Sequence, residues 1–145
     1  MRRIDTDRLA TLLKEDEGLR LKPYRDSVGK LTIGYGRNLE DNGITQWEAD
    51  VMLANDLGIT MQEAYSAFPW FRYLDEVRQD VVLSMLFNMG MPRLTKFKKM
   101  LSAIADRNYE LAAAEMLNSK WASQVGRRAQ KLASMMRSGD YPSRR

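Results

Sequence analysis

The chain has 145 residues, 44% of them hydrophobic and 29% charged, which is the size and composition of one globular domain with a sizeable core. Its formal net charge is +4, and it contains neither cysteine nor histidine. These absences exclude disulfides, thiolate nucleophiles, imidazole bases and Cys- or His-based zinc sites, so any chemistry must come from carboxylates, hydroxyls and cations.

The first predicted element is a helix that Asp5 or Thr6 can cap and that Gly18 can end. Its apolar side chains recur at helical spacing: Leu9, Leu12 and Leu13. No apolar run in the sequence approaches the ~20 residues that span a bilayer, and the start MRRIDTDRLATLL lacks the long apolar stretch of a signal peptide. We therefore expect a protein that stays in the cytoplasm unless another agent releases it.

The hydrophobic period changes to two between Leu19 and Leu39, which predicts strands. Asp26-Ser27-Val28-Gly29 has the Asp and Gly positions of a type I turn, and Asn42-Gly43 predicts a second turn. The expected result is a small hairpin or a short three-stranded sheet.

The rest of the chain is predicted to be helical. Residues 45–48 and 60–63 both read as capping boxes, and taken literally they predict two helices split at Gly58. Further helices are expected at about 75–89, 94–105, 108–118 and 124–138. The fold class is therefore α+β, with a small sheet near the N-terminus and a larger helical bundle.

Large apolar residues in these helices are predicted to form the core rather than a ligand box, since they recur at helical spacing. They are Met85, Phe87, Met89, Phe97 and Met100. The tryptophans are likewise predicted to be packing residues: Trp47, Trp70 and Trp121.

The charge is unevenly distributed along the chain. Residues 1–90 carry 11 Lys and Arg against 15 Asp and Glu, whereas residues 91–145 carry 12 against 4. A basic C-terminal half indicates a polyanionic partner, such as nucleic acid, an anionic envelope polymer or a membrane surface. Solvated helix faces explain the same charge.

Glu17 is distinguished from its acidic neighbours by helical phase, because it shares a face with Leu9 and Leu13. Partial burial and the negative end of the helix dipole would favour its protonated form, as a general acid requires. The alternative is a helix-end glutamate that points to water.

Asp26 and Thr32 complete a candidate site with Glu17. An exposed turn aspartate stays ionised, so Glu17 and Asp26 would form the unequal carboxyl pair of a glycosidase. Thr32 shares a strand face with Gly34 and Gly36, which leaves room for a substrate and a water held by the hydroxyl. Each residue alone also has an ordinary structural explanation, as a turn former or a strand former. The combination Glu-x8-Asp-x5-Thr is more specific.

With DEGLRLKPYRD at 16–26 and GKLTIGYG at 29–36, the chain resembles the phage-type lysozymes, glycoside hydrolases that tailed bacteriophages use as endolysins. MLFNMG at 85–90, SKW at 119–121, RRAQK at 127–131 and RSG at 137–139 add support. The resemblance implies one lysozyme-like domain over 1–145. Its β lobe would cover about 19–44 and its helical lobe about 68–139, with the N-terminal helix 5–17 packed on the helical lobe and one continuous helix at about 46–67 joining the lobes.

By this resemblance Glu17 is the general acid, and Asp26 and Thr32 position the attacking water. Arg128 supports the site as an ion-pair partner of Glu17, while Phe87 and the backbone around Asn38 bind the saccharide. The substrate would be the β-1,4 bond between N-acetylmuramic acid and N-acetylglucosamine in bacterial peptidoglycan, cleaved with inversion and without a cofactor or metal. A lytic transglycosylase on the same bond, or a non-catalytic module that binds cell wall or nucleic acid, are the alternatives.

The resemblance also implies a setting for this activity. The enzyme would be a monomer in the host cytoplasm, released to the periplasm and cell wall at lysis, with no nucleic acid partner and no stable membrane insertion. An enzyme carried by the virion and delivered from outside the cell is the alternative. The basic C-terminal half would then attract it to an anionic outer envelope.

Two departures from the family pattern concern the small lobe. Arg37 stands where a histidine is usual, and it could keep a similar brace by pairing with an aspartate. Only NLEDNG, residues 38–43, stands where the best-known members have an extra helix.

Overall fold

The computed structural model describes residues 3–143. It confirms the α+β class, with one three-stranded antiparallel sheet in the order β1-β2-β3 among predominantly helical elements. The helices and strands are α1 Thr6–Glu17, β1 Arg20–Arg25, β2 Leu31–Gly34, β3 Arg37–Asn38, α2 Leu39–Asn42, α3 Gln46–Ala67, α4 Glu76–Met89, α5 Met91–Leu94, α6 Lys98–Ala105, α7 Tyr109–Leu117, α8 Lys120–Val125 and α9 Arg127–Ser138, with a 3-10 turn at Phe71–Tyr73.

The chain divides into two compact units, the first ending at Met52 and the second beginning at Leu53. The division falls within α3, and α1 belongs to the first unit. The packing of α1 on the helical lobe stays a prediction.

Local signals account for the ends of α1. The Asp5 side chain accepts a hydrogen bond from the Arg8 N–H at 3.0 Å, which satisfies one of the amides left free in the first turn. Gly18 ends the helix with φ +70°, a conformation that costs glycine little, and its N–H donates to the Lys14 carbonyl.

The segment between β3 and α3 differs from the turn that the sequence predicts. Instead of a simple turn at Asn42-Gly43, residues Leu39–Asn42 form the one-turn helix α2, which ends at Gly43. The Asn38 side chain caps it by accepting the Asp41 N–H at 3.0 Å. NLEDNG therefore forms a short helix, which the sequence reading missed.

One capping box is confirmed and the other is wrong. Thr45 and Glu48 exchange reciprocal hydrogen bonds at the start of α3. Thr60 instead lies inside the continuous helix and donates its hydroxyl to the Asp56 carbonyl at 2.9 Å. The split at Gly58 is thus wrong, and the continuous helix at about 46–67 that the resemblance implies is confirmed. Burial of Thr60 and Ala64 offsets the loss of about 1 kcal/mol that glycine causes in a helix.

The second unit has a continuous apolar core. Its largest fully buried side chains are Phe71, Met85, Leu94, Met100, Ile104, Met116, Met136, Val81 and Val82. Met85, Met89 and Met100 are core residues as predicted. Phe97 packs against the core, whereas Phe87 is 44% exposed, so its assignment to the core was wrong.

The tryptophans likewise include both packed and exposed residues. Trp121 is buried, and its indole donates to Asn88 Oδ1 at 3.2 Å, while Trp70 stacks on Phe68. Trp47 is 73% exposed, so its prediction as a packing residue was wrong.

Two of the predicted helices are interrupted. The helix expected at 94–105 is α5 and α6, with residues 95–97 between them, and the helix expected at 124–138 begins at Arg127. Gly126, at φ +58°, ends α8 and precedes α9, which explains the second interruption because this backbone conformation favours glycine.

Candidate active site

Glu17 ends α1 at a point where the helix meets the sheet of the same unit. The residue is exposed, so its predicted partial burial was wrong. A Cβ built on Gly36 would lie 2.8 Å from Glu17 Oε2 and 3.2 Å from its Cδ, so the carboxyl rests directly over the Gly36 backbone. The Lys14 ammonium, one turn earlier, lies 5.3 Å from the centre of the Tyr35 ring, within the range of a cation–π contact. Two neighbouring contacts thus join the end of α1 to the turn between β2 and β3.

Asp26 is held by its own turn. Its Oδ1 accepts the backbone N–H groups of Val28 at 3.0 Å and Lys30 at 2.8 Å, and its backbone N–H donates to the Lys30 carbonyl at 2.9 Å. Gly29 closes the turn by donating to the Asp26 carbonyl. These bonds engage Oδ1 and leave Oδ2 available as an acceptor.

Thr32 is the one buried residue among residues 3–52. Its hydroxyl donates to the Lys30 carbonyl at 2.8 Å, and Tyr24 and Asn38 are its neighbours on the adjacent strands. Since the hydroxyl proton is already donated, the oxygen is oriented to accept a hydrogen bond from another molecule.

The sequence reading missed Lys30, whose backbone connects these two residues. Its N–H reaches the Asp26 carboxylate, and its carbonyl accepts from both the Asp26 amide and the Thr32 hydroxyl. Its ammonium pairs with Asp41 at 3.2 Å and with Glu40 at 3.5 Å. Nothing in the local pattern signals this role, because a lysine between a turn and a strand is unremarkable by itself.

Arg37 forms an ion pair as predicted, but with a different partner. Its guanidinium forms a bidentate pair with Glu48, both contacts at 2.7 Å, and donates to the Gly43 carbonyl at 3.3 Å. The partner is thus a glutamate at the start of α3 rather than an aspartate. The hydrogen bonds from Arg37 and from the Thr45 amide lower the pKa of Glu48 to about 2, and the same pairing raises the pKa of Arg37.

Asn38, predicted to line the saccharide site, uses its side chain locally. Its oxygen caps α2, and its amide nitrogen donates to Asp41 Oδ2 at 2.9 Å. The side chain is therefore engaged within this unit, and the contact of the backbone around Asn38 with a saccharide stays a prediction.

Phe87 and Arg128 belong to the second unit. Phe87 lines a cavity of about 370 Å³ together with Leu83 and Ser84. Arg128 donates to Ser84 Oγ at 3.4 Å, and Ser84 lies on the same face of α4 as Phe87 because the two are three residues apart. Arg128 thus contacts the residue that lines the same cavity as Phe87, while the pairing of Arg128 with Glu17 stays a prediction.

Within residues 3–143 no group of three or more acidic side chains is arranged to hold a metal ion. No helix in this part of the chain is long and apolar enough to span a bilayer.

Comparisons with known proteins identify the family of the chain. Residues 14–138 match the family model described as phage lysozyme. The chain is 29% identical to probable T4-type lysozyme 2 of Dictyostelium discoideum, covering 90% of this chain and 94% of that protein. It is 32% identical to an endolysin of Acyrthosiphon pisum secondary endosymbiont phage 1, over 81% and 80% of the two chains. It is also 28% identical to the pre-baseplate central spike protein Gp5 of Enterobacteria phage T4, over 93% of this chain and 28% of that protein.

Proposed function

The chain belongs to the phage lysozyme family, and we propose that it hydrolyses the β-1,4 bond between N-acetylmuramic acid and N-acetylglucosamine with inversion. Family membership makes it a peptidoglycan-degrading glycoside hydrolase. The bond, the stereochemistry and the residue roles are the proposal. The proposal is supported above all by the backbone of Lys30, which forms hydrogen bonds with both Asp26 and Thr32. These bonds leave Asp26 Oδ2 and the Thr32 hydroxyl oxygen able to accept a hydrogen bond.

Asp26 and Thr32 would hold the attacking water between them. The water would donate one hydrogen bond to the free oxygen of Asp26 and a second hydrogen bond to Thr32 Oγ. The Thr32 hydroxyl can accept this bond because its own proton is donated to the Lys30 carbonyl. The water oxygen then keeps a lone pair for the anomeric carbon. As the carbon–water bond forms, Asp26 takes the first proton as general base.

Glu17 would act at the opposite side of the bond as general acid. It donates its proton to the glycosidic oxygen as the bond from that oxygen to the anomeric carbon breaks. Its contact with Gly36 places it just beyond the end of β2, whereas Asp26 bonds to Lys30 just before the start of β2. Entry of water on one sugar face and departure of the leaving group from the other inverts the anomeric carbon, and such sites separate their carboxyl groups by roughly 6.5–9.5 Å.

The remaining site residues would serve binding and support. Phe87 offers an exposed aromatic face beside Ser84 for a sugar ring. Arg128 would steady the Glu17 carboxylate after it has lost its proton. We further propose that the enzyme acts in lysis of the host, reaching peptidoglycan from the host cytoplasm when the cell is opened.

The test is digestion of purified peptidoglycan by the parent chain and by Glu17→Gln. The amide keeps the shape of the carboxyl but has no acid proton, so we expect at least a ~10²-fold loss of rate with an unchanged circular dichroism spectrum. The parent should release reducing N-acetylmuramic acid ends with the inverted configuration.

The products discriminate between mechanisms. Products that end in 1,6-anhydro-muramic acid would show that the enzyme is a lytic transglycosylase and not a hydrolase. Reducing N-acetylglucosamine ends would overturn the bond assignment, and full activity of Glu17→Gln would overturn the assignment of the acid.

A further inference from the structure

Arg20 lies on the face of the sheet that carries Thr32. In the antiparallel pairing of β1 with β2, Tyr24 lies opposite Thr32 and Arg20 lies opposite Gly34. Side chains that are directly opposite each other in such a pair project from the same face. Arg20 Cζ lies 4.8 Å from the centre of the Tyr24 ring, which is a cation–π distance. A cation is thus held next to the residue that is proposed to bind the attacking water.

The charge of Arg20 is not neutralised by an ion pair within residues 3–143. Three other cations of the same unit already have acidic partners: Arg25, Lys30 and Arg37. Lys22 of β1 forms no ion pair in this part of the chain either, but no aromatic ring there holds its ammonium group. Arg20 therefore combines an unpaired charge with a fixed position.

Open space adjoins Arg20 on this face. The residue is exposed, and its partner on β2 is a glycine, which has no side chain to cover the guanidinium. Nothing lies within 4 Å of a Cβ built on Gly34. A ligand can therefore reach the guanidinium without displacing a neighbouring side chain. The ring contact restricts the arginine before binding, so less side-chain entropy is lost when a ligand binds.

We propose that Arg20 binds a carboxylate carried by the N-acetylmuramic acid residue of the substrate. The inference rests on the proposed hydrolysis, in which the water beside Thr32 attacks the anomeric carbon of that sugar. N-acetylmuramic acid bears a lactyl group that either ends in a carboxylate or continues into a peptide stem with carboxylates, whereas N-acetylglucosamine bears no acid. A guanidinium can bind a carboxylate by two parallel N–H···O bonds while its flat face stays on an aromatic ring.

A contact with the substrate and a purely structural role have different consequences. If Arg20 only stabilised β1 through the Tyr24 ring, its replacement would change the hydrolysis of every glycan by the same factor. If Arg20 binds a substrate carboxylate, the effect of its replacement depends on the charge of the glycan. The contact is therefore measured as a coupling between a change in the enzyme and a change in the substrate.

The experiment compares kcat/KM of the parent and of Arg20→Gln on soluble, uncross-linked glycan strands before and after carbodiimide amidation of their carboxylates. Amidation removes the charge and leaves the glycosidic bonds intact. The parent should prefer the charged strands by about 10-fold, the effect of one charge-assisted hydrogen bond. Arg20→Gln should lose this preference. Arg20→Lys keeps the charge but cannot form the two parallel bonds, so it should retain part of the preference.

Arg8→Gln is the matched control, since it removes the charge of an exposed arginine in the same unit. Arg8 lies nine residues before Glu17, about two and a half helical turns, and hence on the opposite side of α1. This variant should keep the preference of the parent within about 2-fold, because salt screens distant exposed charges.

Strands freed of their stems by an amidase identify the source of the carboxylate. These strands end each lactyl group in a free carboxylate, which can again be amidated. A preference of the parent for charged over amidated stem-free strands assigns the contact to the lactyl carboxylate. A preference confined to stem-bearing strands assigns it to the peptide stem.

Three results would overturn the proposal. They are equal cleavage of charged and amidated strands by the parent, an undiminished preference in Arg20→Gln, and a loss in Arg20→Gln that is the same on both kinds of strand. Failure of the proposed hydrolysis is distinguishable from these results. It would appear as the absence of new reducing N-acetylmuramic acid ends from every substrate, whatever its charge.

Discussion

The two units of the chain are stabilised by different interactions. Among residues 3–52 only Thr32 is buried, and α1 leaves Leu9, Leu12 and Leu13 between 40% and 54% exposed. The second unit instead contains the continuous apolar core that extends from Ala64 to Met136. Burial of apolar area is the dominant favourable contribution to folding, so most of the stability of the chain resides in the second unit.

The contrast matters because the three predicted catalytic side chains are in the unit without a core. Glu17, Asp26 and Thr32 are positioned by turns, helix caps, sheet hydrogen bonds and exposed ion pairs. Each such interaction is worth little individually, and regions with few buried contacts open more easily than cores. The site therefore depends on accurate local geometry more than on the bulk of the core.

The largest expected effect is in the core of the second unit. Leu94→Ala removes a fully buried side chain and should lower the free energy of unfolding by about 3 kcal/mol, from lost burial and the cavity left behind. Leu12→Ala, at a leucine that is 54% exposed, should change it by less than about 1 kcal/mol. Urea unfolding measures both, and similar losses in the two variants would remove the contrast between the units.

A smaller energetic effect, but a large effect on activity, is expected at Gly36. Gly36→Ala and Gly34→Ala both place a Cβ at positive φ, +76° and +72°, at a cost of roughly 1–2 kcal/mol. Only the alanine at 36 would collide with the Glu17 carboxyl, since nothing lies within 4 Å of a Cβ at Gly34. A displaced acid loses about 10²-fold in rate, so kcat should fall far more for Gly36→Ala.

The contact itself can be separated from its effect on the reaction. In a Glu17→Ala background the collision is absent, so adding Gly36→Ala should cost less unfolding free energy than it does in the parent chain. If Gly36→Ala lowers the free energy of unfolding equally in the parent and in the Glu17→Ala background, Gly36 does not position Glu17, whatever the hydrolysis rates of the variants.

The smallest effect is expected at the exposed pair of Arg37 and Glu48. Glu48→Gln keeps an oxygen that can accept the Thr45 amide but removes the ion pair. The folded-state pKa of Glu48 is about 2, below its ordinary value of 4.5. The stabilisation is therefore complete above pH 4.5 and lost as the pH falls to about 2. Glu48→Gln should have a lower Tm than the parent at pH 6, and most of this difference should be lost at pH 2. A Tm difference as large at pH 2 as at pH 6 would contradict this.

Tertiary contacts decided several features that the sequence could not. Gly58 and the capping-box pattern at Thr60 favour a break, yet α3 is continuous because its second half contributes to the buried part of the chain. Trp47 has a large apolar side chain of the kind that usually packs in a core, yet it is exposed. The choice of Glu48 as the Arg37 partner depends on which segments become neighbours in space, since the two residues are 11 apart in the sequence.

The sequence by itself determined the elements whose signals are local. Asp5 with Gly18, and Asp75 with Gly90, cap α1 and α4 at both ends, because capping bonds form within one helical turn. Helical phase predicted a partly buried Glu17, but Glu15, Asp16 and Glu17 are all exposed, so it was the spacing Glu-x8-Asp-x5-Thr that singled out Glu17 and carried the family resemblance. The structure supplied the contacts of those three residues: the backbone of Lys30 bonds to Asp26 and Thr32, and the bare backbone of Gly36 lies beneath Glu17. The bonds of Lys30 reach only two and four residues along the chain, whereas the contact of Glu17 with Gly36 links a helix end to a turn between strands, so no local pattern in the sequence encodes it.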